Sequence, residues 1–402
     1  MDRAVAAPGH DADVIVVGAG PAGATAAIRL AAAGRRVILC DRRAFPRDKA
    51  CGDGLIADAI NALGALGLLD RVRALAAHAT RLVTVSPSGI DVHFDSTFLI
   101  LPRRVFDRVL CDRAIECGAE LRQLVVTAPI VDGGRIVGVR GHAAGREASV
   151  ELRAPLTVLA SGADSAVLTA FDREARSAPS GFAIRTYARL DGGRTLGELV
   201  ISLERDLLPG YAWAFPVPEG LINVGVGWLA SSRAPRGANL RRRLDVLLEG
   251  RGVLGRRLGP AAAVEAYRGA PLRTGLGGAR LAQPGLAVIG EAAGTTYAVS
   301  GEGIGKAMES GLLLAAAAAD GEPLSLAGFR YATAMTERFT NRFTAYNTAQ
   351  RWLAFPFVAD YVARRANASR WVHERLQGVL EERDLPNRVF SARSFWRLIT
   401  KH

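Results

Sequence analysis

Lysine is almost missing from this sequence. Only Lys49, Lys306 and Lys401 occur, so 48 of the 51 basic residues in the 402-residue chain are arginine, against 39 acidic ones. The net charge of +12 comes with no nucleic-acid-binding module, and so strong an arginine skew points to genome base composition rather than to a nucleic-acid partner. The four cysteines, Cys40, Cys51, Cys111 and Cys117, are too few for a disulfide scaffold and lack zinc-ligand spacing, so no metal is expected. No apolar run reaches the roughly 18 residues of a membrane-spanning helix. Met1–His10 lack a signal-peptide pattern, because the first apolar run, Val14–Val17, is short and passes directly into glycines. These absences lead to the expectation of a reduced cytoplasmic protein, soluble or peripheral on the inner face of the cell membrane. There is no tandem repeat or low-complexity period, and an apolar fraction of 49% excludes a disordered chain. A chain this long exceeds one comfortable core, so two domains are expected.

Against that background one unit stands out. The β-branched run Asp13–Val17 leads directly into Gly18-Ala-Gly20-Pro-Ala22-Gly23. An alanine-rich helical stretch, 24–33, follows, and a second strand, Val37–Asp41, ends in an acid. This is a complete strand–turn–helix–strand unit for a dinucleotide. Gly18 permits the tight turn, Gly20 lets the backbone approach a pyrophosphate, and Gly23 lets the helix pack close to the strand. The helix N-terminus offers unpaired N–H groups and a positive dipole end to the phosphates. Asp41 is placed to accept hydrogen bonds from ribose hydroxyls.

The motif alone does not separate FAD from NAD. Farther along, a helix is predicted over 105–117, a strand over 118–126 and another over 156–160. Gly285–Gly294 reads as a strand delivering Glu291 at its carboxyl end, and Ser300-Gly301-Glu302-Gly303-Ile304-Gly305 opens a helix running to about 319. This order resembles the para-hydroxybenzoate-hydroxylase-like flavoproteins, whose late strand–acid–helix element closes the FAD site. The resemblance implies FAD, with Ala22, Arg42, Arg103 and Val126 among the residues around it. No second Gly-x-Gly-x-x-Gly follows a strand, so electrons are expected from an external donor: NADPH, ferredoxin or a flavin reductase.

Three further motifs narrow the family. Pro46-Arg-Asp-Lys-Ala-Cys51-Gly52-Asp-Gly54, Tyr211-Ala-Trp213-Ala-Phe215-Pro216 and Gly301-Glu-Gly303-Ile304 occur in the order found in the geranylgeranyl reductase family, which the chain resembles. That resemblance implies saturation of isoprenoid double bonds, with hydride from reduced flavin and a proton from an acid. It also places the Cys51 loop over the flavin, where the thiol either orients substrate and relays a proton or simply fills a small space. Tyr211, Trp213 and Phe215 alternate with alanines, so in a strand all three face one way. In 222–228, Gly225 and Gly227 bare one face of a neighbouring strand. Together they read either as a wall for a long apolar substrate or as ordinary sheet core. The helix opened by Gly301–Ile304 would aim its positive end at the flavin edge that becomes negative on reduction, and Glu302 reads as a helix-start acid with no further duty. The proton donor stays open among Cys51, Tyr211 and an ordered water.

Some residues depart from the family pattern. Glu291 stands where an aspartate is common, Ala298 where a proline usually precedes the flavin turn, and 163–166 read Ala-Asp-Ser-Ala instead of the Asp-Gly motif of related hydroxylases. Two alternatives remain in view. One is a flavin monooxygenase or halogenase on the same fold; the other is a non-catalytic, membrane-associated FAD-binding protein. Residues 330–402 carry 13 basic against 6 acidic side chains, interleaved with aromatics that include Phe395 and Trp396. This segment reads as a helical cap on the substrate domain or as a contact with a lipid interface. The expected α/β architecture is a Rossmann-type FAD-binding domain (11–80, 100–170 and 275–330), a mostly antiparallel substrate domain (81–99 and 171–274) and a helical segment (331–402).

Overall fold

The computed structural model describes residues 9–146, 148–175, 178–229, 239–319 and 323–388. Two large sheets organise them, in the Rossmann-plus-antiparallel architecture expected from the sequence. Val14–Val17 lies at the middle of the first sheet, parallel to Val37–Asp41 on one side and to Leu156–Leu159 on the other. All four residues of Val14–Val17 are buried, as a continuous β-branched run flanked on both faces requires. Leu286–Val288 adds in parallel beyond Leu156–Leu159, so the late segment joins the first unit although more than 240 residues separate them.

The first helix runs Pro21–Ala32, three residues earlier than its alanine-rich stretch suggests, because Pro21 occupies the first turn, where a missing N–H costs nothing. Its neighbour is the helix Ile304–Ala317. A methyl group on Gly311 would lie 2.5 Å from the Ala22 carbonyl oxygen, so the two helices meet backbone against backbone. Small residues thereby bring two helix N-termini to one end of the sheet, where the site forms.

The second sheet is antiparallel except where Leu199–Ser202 runs parallel to Ala77–Val85. Tyr211–Val217 pairs with Leu221–Leu229 in a register that sets Tyr211 opposite Gly227, Trp213 opposite Gly225 and Phe215 opposite Asn223. The aromatic face of one strand therefore lies over the small-residue face of the next. Gly225, expected to bare a surface for a ligand, is instead covered by the Trp213 indole: a Cβ there would sit 2.3 Å from the ring.

The carboxyl-terminal segment forms helices Ala327–Leu353, Pro356–Ala368 and Arg370–Leu380, and Pro356 starts a helix after interrupting the one before. Tyr331, Phe339 and Phe343 are buried with the first sheet's helices, whereas Val358, Val362 and Val372 are buried with the second sheet. The segment thus covers both layers. Phe357 (65% exposed) and Trp371 (44%) stay on its surface. Phe395, Trp396, Leu398 and Ile399 lie outside the described residues. Among those described, no helix is long and apolar enough to cross a membrane.

The glycine register yields a test. Gly225→Ala would also bring its methyl to 2.5 Å from the Ile184 carbonyl oxygen, so overpacking should cost about 1–3 kcal/mol. At Gly227 the nearest atom to such a methyl is 3.7 Å away, and Gly227→Ala should stay within about 0.5 kcal/mol of the parent. Chemical denaturation of the two variants checks the contrast.

Candidate active site

The sheets enclose a cavity of about 720 Å³. Gly18, Gly20 and Ala22 reach it from the first turn, and Asp41, Arg42 and Val126 from the adjoining strand ends. Cys51, Gly52 and Gly54 contribute from the loop after the second strand, and Arg103 from the start of the helix Arg103–Glu116. The late segment adds Glu291, Gly301, Gly303 and Ile304, and the second sheet adds Tyr211, Trp213, Phe215 and Gly227. Two of the residues singled out in the sequence do not line it. Gly225 lies beneath Trp213. Gly23 faces the strand, where a methyl would meet the Gly18 carbonyl oxygen at 1.9 Å, which is the close packing its place in the motif requires.

One end of the cavity suits a pyrophosphate. Gly18 has φ +107°, and a Cβ there would approach the Ala160 carbonyl oxygen to 2.3 Å. No side chain caps the helix behind Gly20, nor the one behind Gly303, so both offer N–H groups and positive dipole ends to the cavity. Arg103 and Arg47 lie beside Gly20, with guanidinium nitrogens 3.8 and 3.7 Å from where its Cβ would be. Arg103 grips Asp107 with bonds of 2.6 and 2.8 Å, and Arg47 bridges Asp107 (2.9 Å) to Asp41 (3.1 Å). Asp41, the expected ribose acceptor, also takes the N–H groups of Ala19 (3.1 Å) and Arg43 (3.0 Å). Its carboxylate is therefore already oriented by the turn. Glycine backbone, open helix ends and arginines together fit a flavin dinucleotide. At the late segment, the longer side chain of Glu291 meets Lys49 at 2.7 Å and so ties the Cys51 loop to the last strand.

Several residues of the site escaped the sequence reading. Asp53 is fully buried at φ +65° and is the hub of a hydrogen-bond network. One carboxylate oxygen accepts the Arg103 N–H (3.2 Å); the other accepts the Tyr187 hydroxyl (2.6 Å) and the Asn223 amide (2.7 Å). Burial pushes its carboxyl up to about 6 despite these donors. Asn223 also donates to the Cys51 carbonyl (2.7 Å) and accepts the Trp213 indole N–H (3.0 Å). Asp48, in the same loop, takes two bonds from buried Arg185 (2.7 and 2.8 Å) and an ion pair with Arg268 (2.8 Å). One signal was available: Asn223 is a lone amide in an otherwise apolar strand. Asp53, between two glycines of a motif, offered none.

The Cys51 sulfur accepts the Asp53 N–H at 3.3 Å, and burial raises the thiol pKa against the pull of Arg103. The Tyr211 hydroxyl donates to the Ser300 carbonyl, and burial raises its pKa as well. Glu302 accepts the Ser300 hydroxyl at 3.0 Å, and burial, reinforced by Asp58 and Glu382, pushes its carboxyl up to about 8. Behind it Lys306, 3% exposed, pairs with Asp58 (3.3 Å), Glu382 (3.0 Å) and Glu309.

The Asp53 network carries a prediction. In Asp53→Asn, an NH₂ group must face a donor that Asp53 now satisfies, at a cost of about 1–3 kcal/mol. The Cys51 loop should loosen with it. Calorimetry should show the lower stability, and gel filtration a faster loss of bound flavin; a variant unchanged in both would refute the hub.

Comparison with known proteins agrees with the cradle. The FAD binding domain family matches residues 11–184. The chain is 36% identical over 330 residues to a menaquinone reductase of Mycolicibacterium smegmatis, covering 76% of this chain and 75% of that one. It is 30% identical over 388 residues to digeranylgeranylglycerophospholipid reductase 1 of Methanopyrus kandleri, covering 92% and 98%. A crystal structure of a geranylgeranyl bacteriochlorophyll reductase-like protein from Thermoplasma acidophilum shares the fold, with TM-score 0.77 at 22% identity over 97% of this chain and 96% of that one.

Proposed function

The chain belongs to the geranylgeranyl reductase family of FAD-dependent oxidoreductases, and we propose on that premise that it saturates carbon–carbon double bonds of an isoprenoid or similarly apolar chain. Bound FAD supplies the reducing electrons. The observation that carries the reading is the aromatic wall of the cavity. Tyr211, Trp213 and Phe215 project from one strand toward the Cys51 loop, so closely that a methyl on Gly52 would touch the Phe215 ring at 3.1 Å. Trp213 is fixed by its bond to Asn223 and Tyr211 by its bond to Ser300. Rings held in this way form a dry, shaped surface for an olefin. An isolated alkene is a poor hydride acceptor, so placement has to lower much of the barrier.

On this reading Gly18, Gly20, Ala22, Asp41, Arg42, Arg103 and Val126 hold the dinucleotide. Glu291, Gly301, Gly303 and Ile304 surround the flavin end, and Gly227 leaves room beside the aromatics. The ion pair with Lys49 balances the charge of Glu291, which suits a residue placed among ribityl hydroxyls. The reductant reaches the flavin from outside the chain: NADPH, ferredoxin or a flavin reductase. Exposed Phe357 and Trp371, on helices that also carry Arg364 and Arg370, support peripheral contact with an anionic membrane, where such substrates reside.

The test uses dithionite-reduced holoprotein, kept anaerobic with geranylgeranyl diphosphate, a digeranylgeranyl phospholipid and menaquinone in parallel. Mass spectrometry should find hydrogen added to at least one of them. If none gains hydrogen, while air with NADPH or halide yields an oxygenated or halogenated product, the chain is a monooxygenase or halogenase instead.

A further inference from the structure

Reduction of an alkene consumes a proton as well as a hydride, and Tyr211, Cys51 and Glu302 are three of the acidic groups that line the cavity. The Tyr211 proton is committed to the Ser300 carbonyl. The Cys51 sulfur accepts the Asp53 N–H and keeps its own proton, but burial makes the thiol a weaker acid than a free one. Glu302 is differently placed. One of its oxygens accepts the Ser300 hydroxyl, and the other accepts no hydrogen bond from the described residues. Nor does Glu302 cap the helix it precedes, whose N-terminus has no side-chain cap, so the reading of a helix-start acid does not account for it. We propose that Glu302 is the acid that protonates the substrate, a role that rests on the reductase reading above.

The surroundings keep that proton in place until it is needed. Burial does most to disfavour the charge on Glu302, and Asp58, from the helix Ala57–Ala65, and Glu382, from the turn after the last helix, add to it against the Ser300 hydroxyl and Lys306. Tyr346, from the helix Ala327–Leu353, and Tyr211 also interact with Glu302, and both are neutral at physiological pH. With its pKa pushed up to about 8, Glu302 is protonated at pH 7 yet remains a stronger acid than the raised thiol or phenol. Such an acid gives efficient general-acid catalysis near neutrality.

The π bond breaks, one carbon takes hydride from the reduced flavin, which is oxidised by two electrons, and the other forms a C–H bond with the Glu302 proton. Glu302 is left as a carboxylate. Its proton is restored from solvent that enters the cavity, which Glu302 lines, once the product has left.

The test compares the parent with Glu302→Gln in anaerobic single turnovers, using the same three isoprenoids. The parent rate should be flat at low pH and fall above about pH 8. The variant should be slower by about 100-fold or more and lose that dependence. Its FAD content, visible spectrum and reoxidation by dioxygen should match the parent, which separates proton supply from damage to the flavin site. Infrared spectroscopy gives a readout independent of turnover: the parent should show a protonated carboxyl at pH 7 that titrates near pH 8 and is missing from the variant. An active parent with an equally fast, equally pH-dependent variant overturns the proposal alone, as does a parent with no protonated carboxyl at pH 7. A parent that hydrogenates none of the three overturns the reductase reading and this proposal with it.

Discussion

The buried carboxylate of Asp53 joins the two halves of this molecule. Through the Arg103 N–H it is bound to the flavin side, and through Tyr187 and Asn223 to the second sheet. Burying a carboxylate is costly unless its oxygens are met by donors, and here they are met from three separate segments. That requirement sets the conformation of the whole loop. Asp53 adopts φ +65°, its own N–H turns to the Cys51 sulfur, and its carbonyl accepts from Leu101. Asp48 extends the same attachment through Arg185 and Arg268, so this loop on the cavity wall is pinned at two points to the sheet opposite.

The aromatic wall follows from this anchoring and from strand register. Trp213 lies flat over Gly225 because the pairing sets them opposite one another, and its indole N–H then reaches Asn223, the residue that also holds the Cys51 carbonyl. One amide thus links wall, loop and hub. A slip of one residue in the pairing would turn the rings to the other face and take the aromatic wall from the cavity.

Behind the flavin helix lies a second concentration of buried charge. Lys306 is surrounded by three carboxylates, and Glu382 is supplied by the carboxyl-terminal segment, where Arg342 also holds it at 2.8 Å. Such clusters contribute little net stability, since desolvation offsets most of the attraction. Their effect here is on protonation. Burial, reinforced by the excess of acids beneath the helix start, raises the Glu302 carboxyl, while the uncapped helix end offers its positive dipole to the cavity. The terminal helices, which the sequence leaves open between cap and membrane contact, are therefore part of the electrostatics of the site.

What the sequence determined by itself is local. Val14–Val17 followed by three spaced glycines can only be a strand, a tight turn and a helix start, because Gly18 and Gly23 meet backbone atoms at distances that no side chain allows. The alternation in 211–215 likewise dictated a one-sided aromatic face. Tertiary structure decided the rest, because it depends on which distant segments meet. The Glu291 carboxylate finds Lys49 across 242 residues, Asp53 finds Tyr187 across 134, and Gly225 lies under an indole instead of facing a ligand. Protonation belongs to the same category. Whether Glu302 is a surface carboxylate or a buried acid depends on the water excluded and the charges gathered around it, and those are set only when the two sheets and the terminal helices close together.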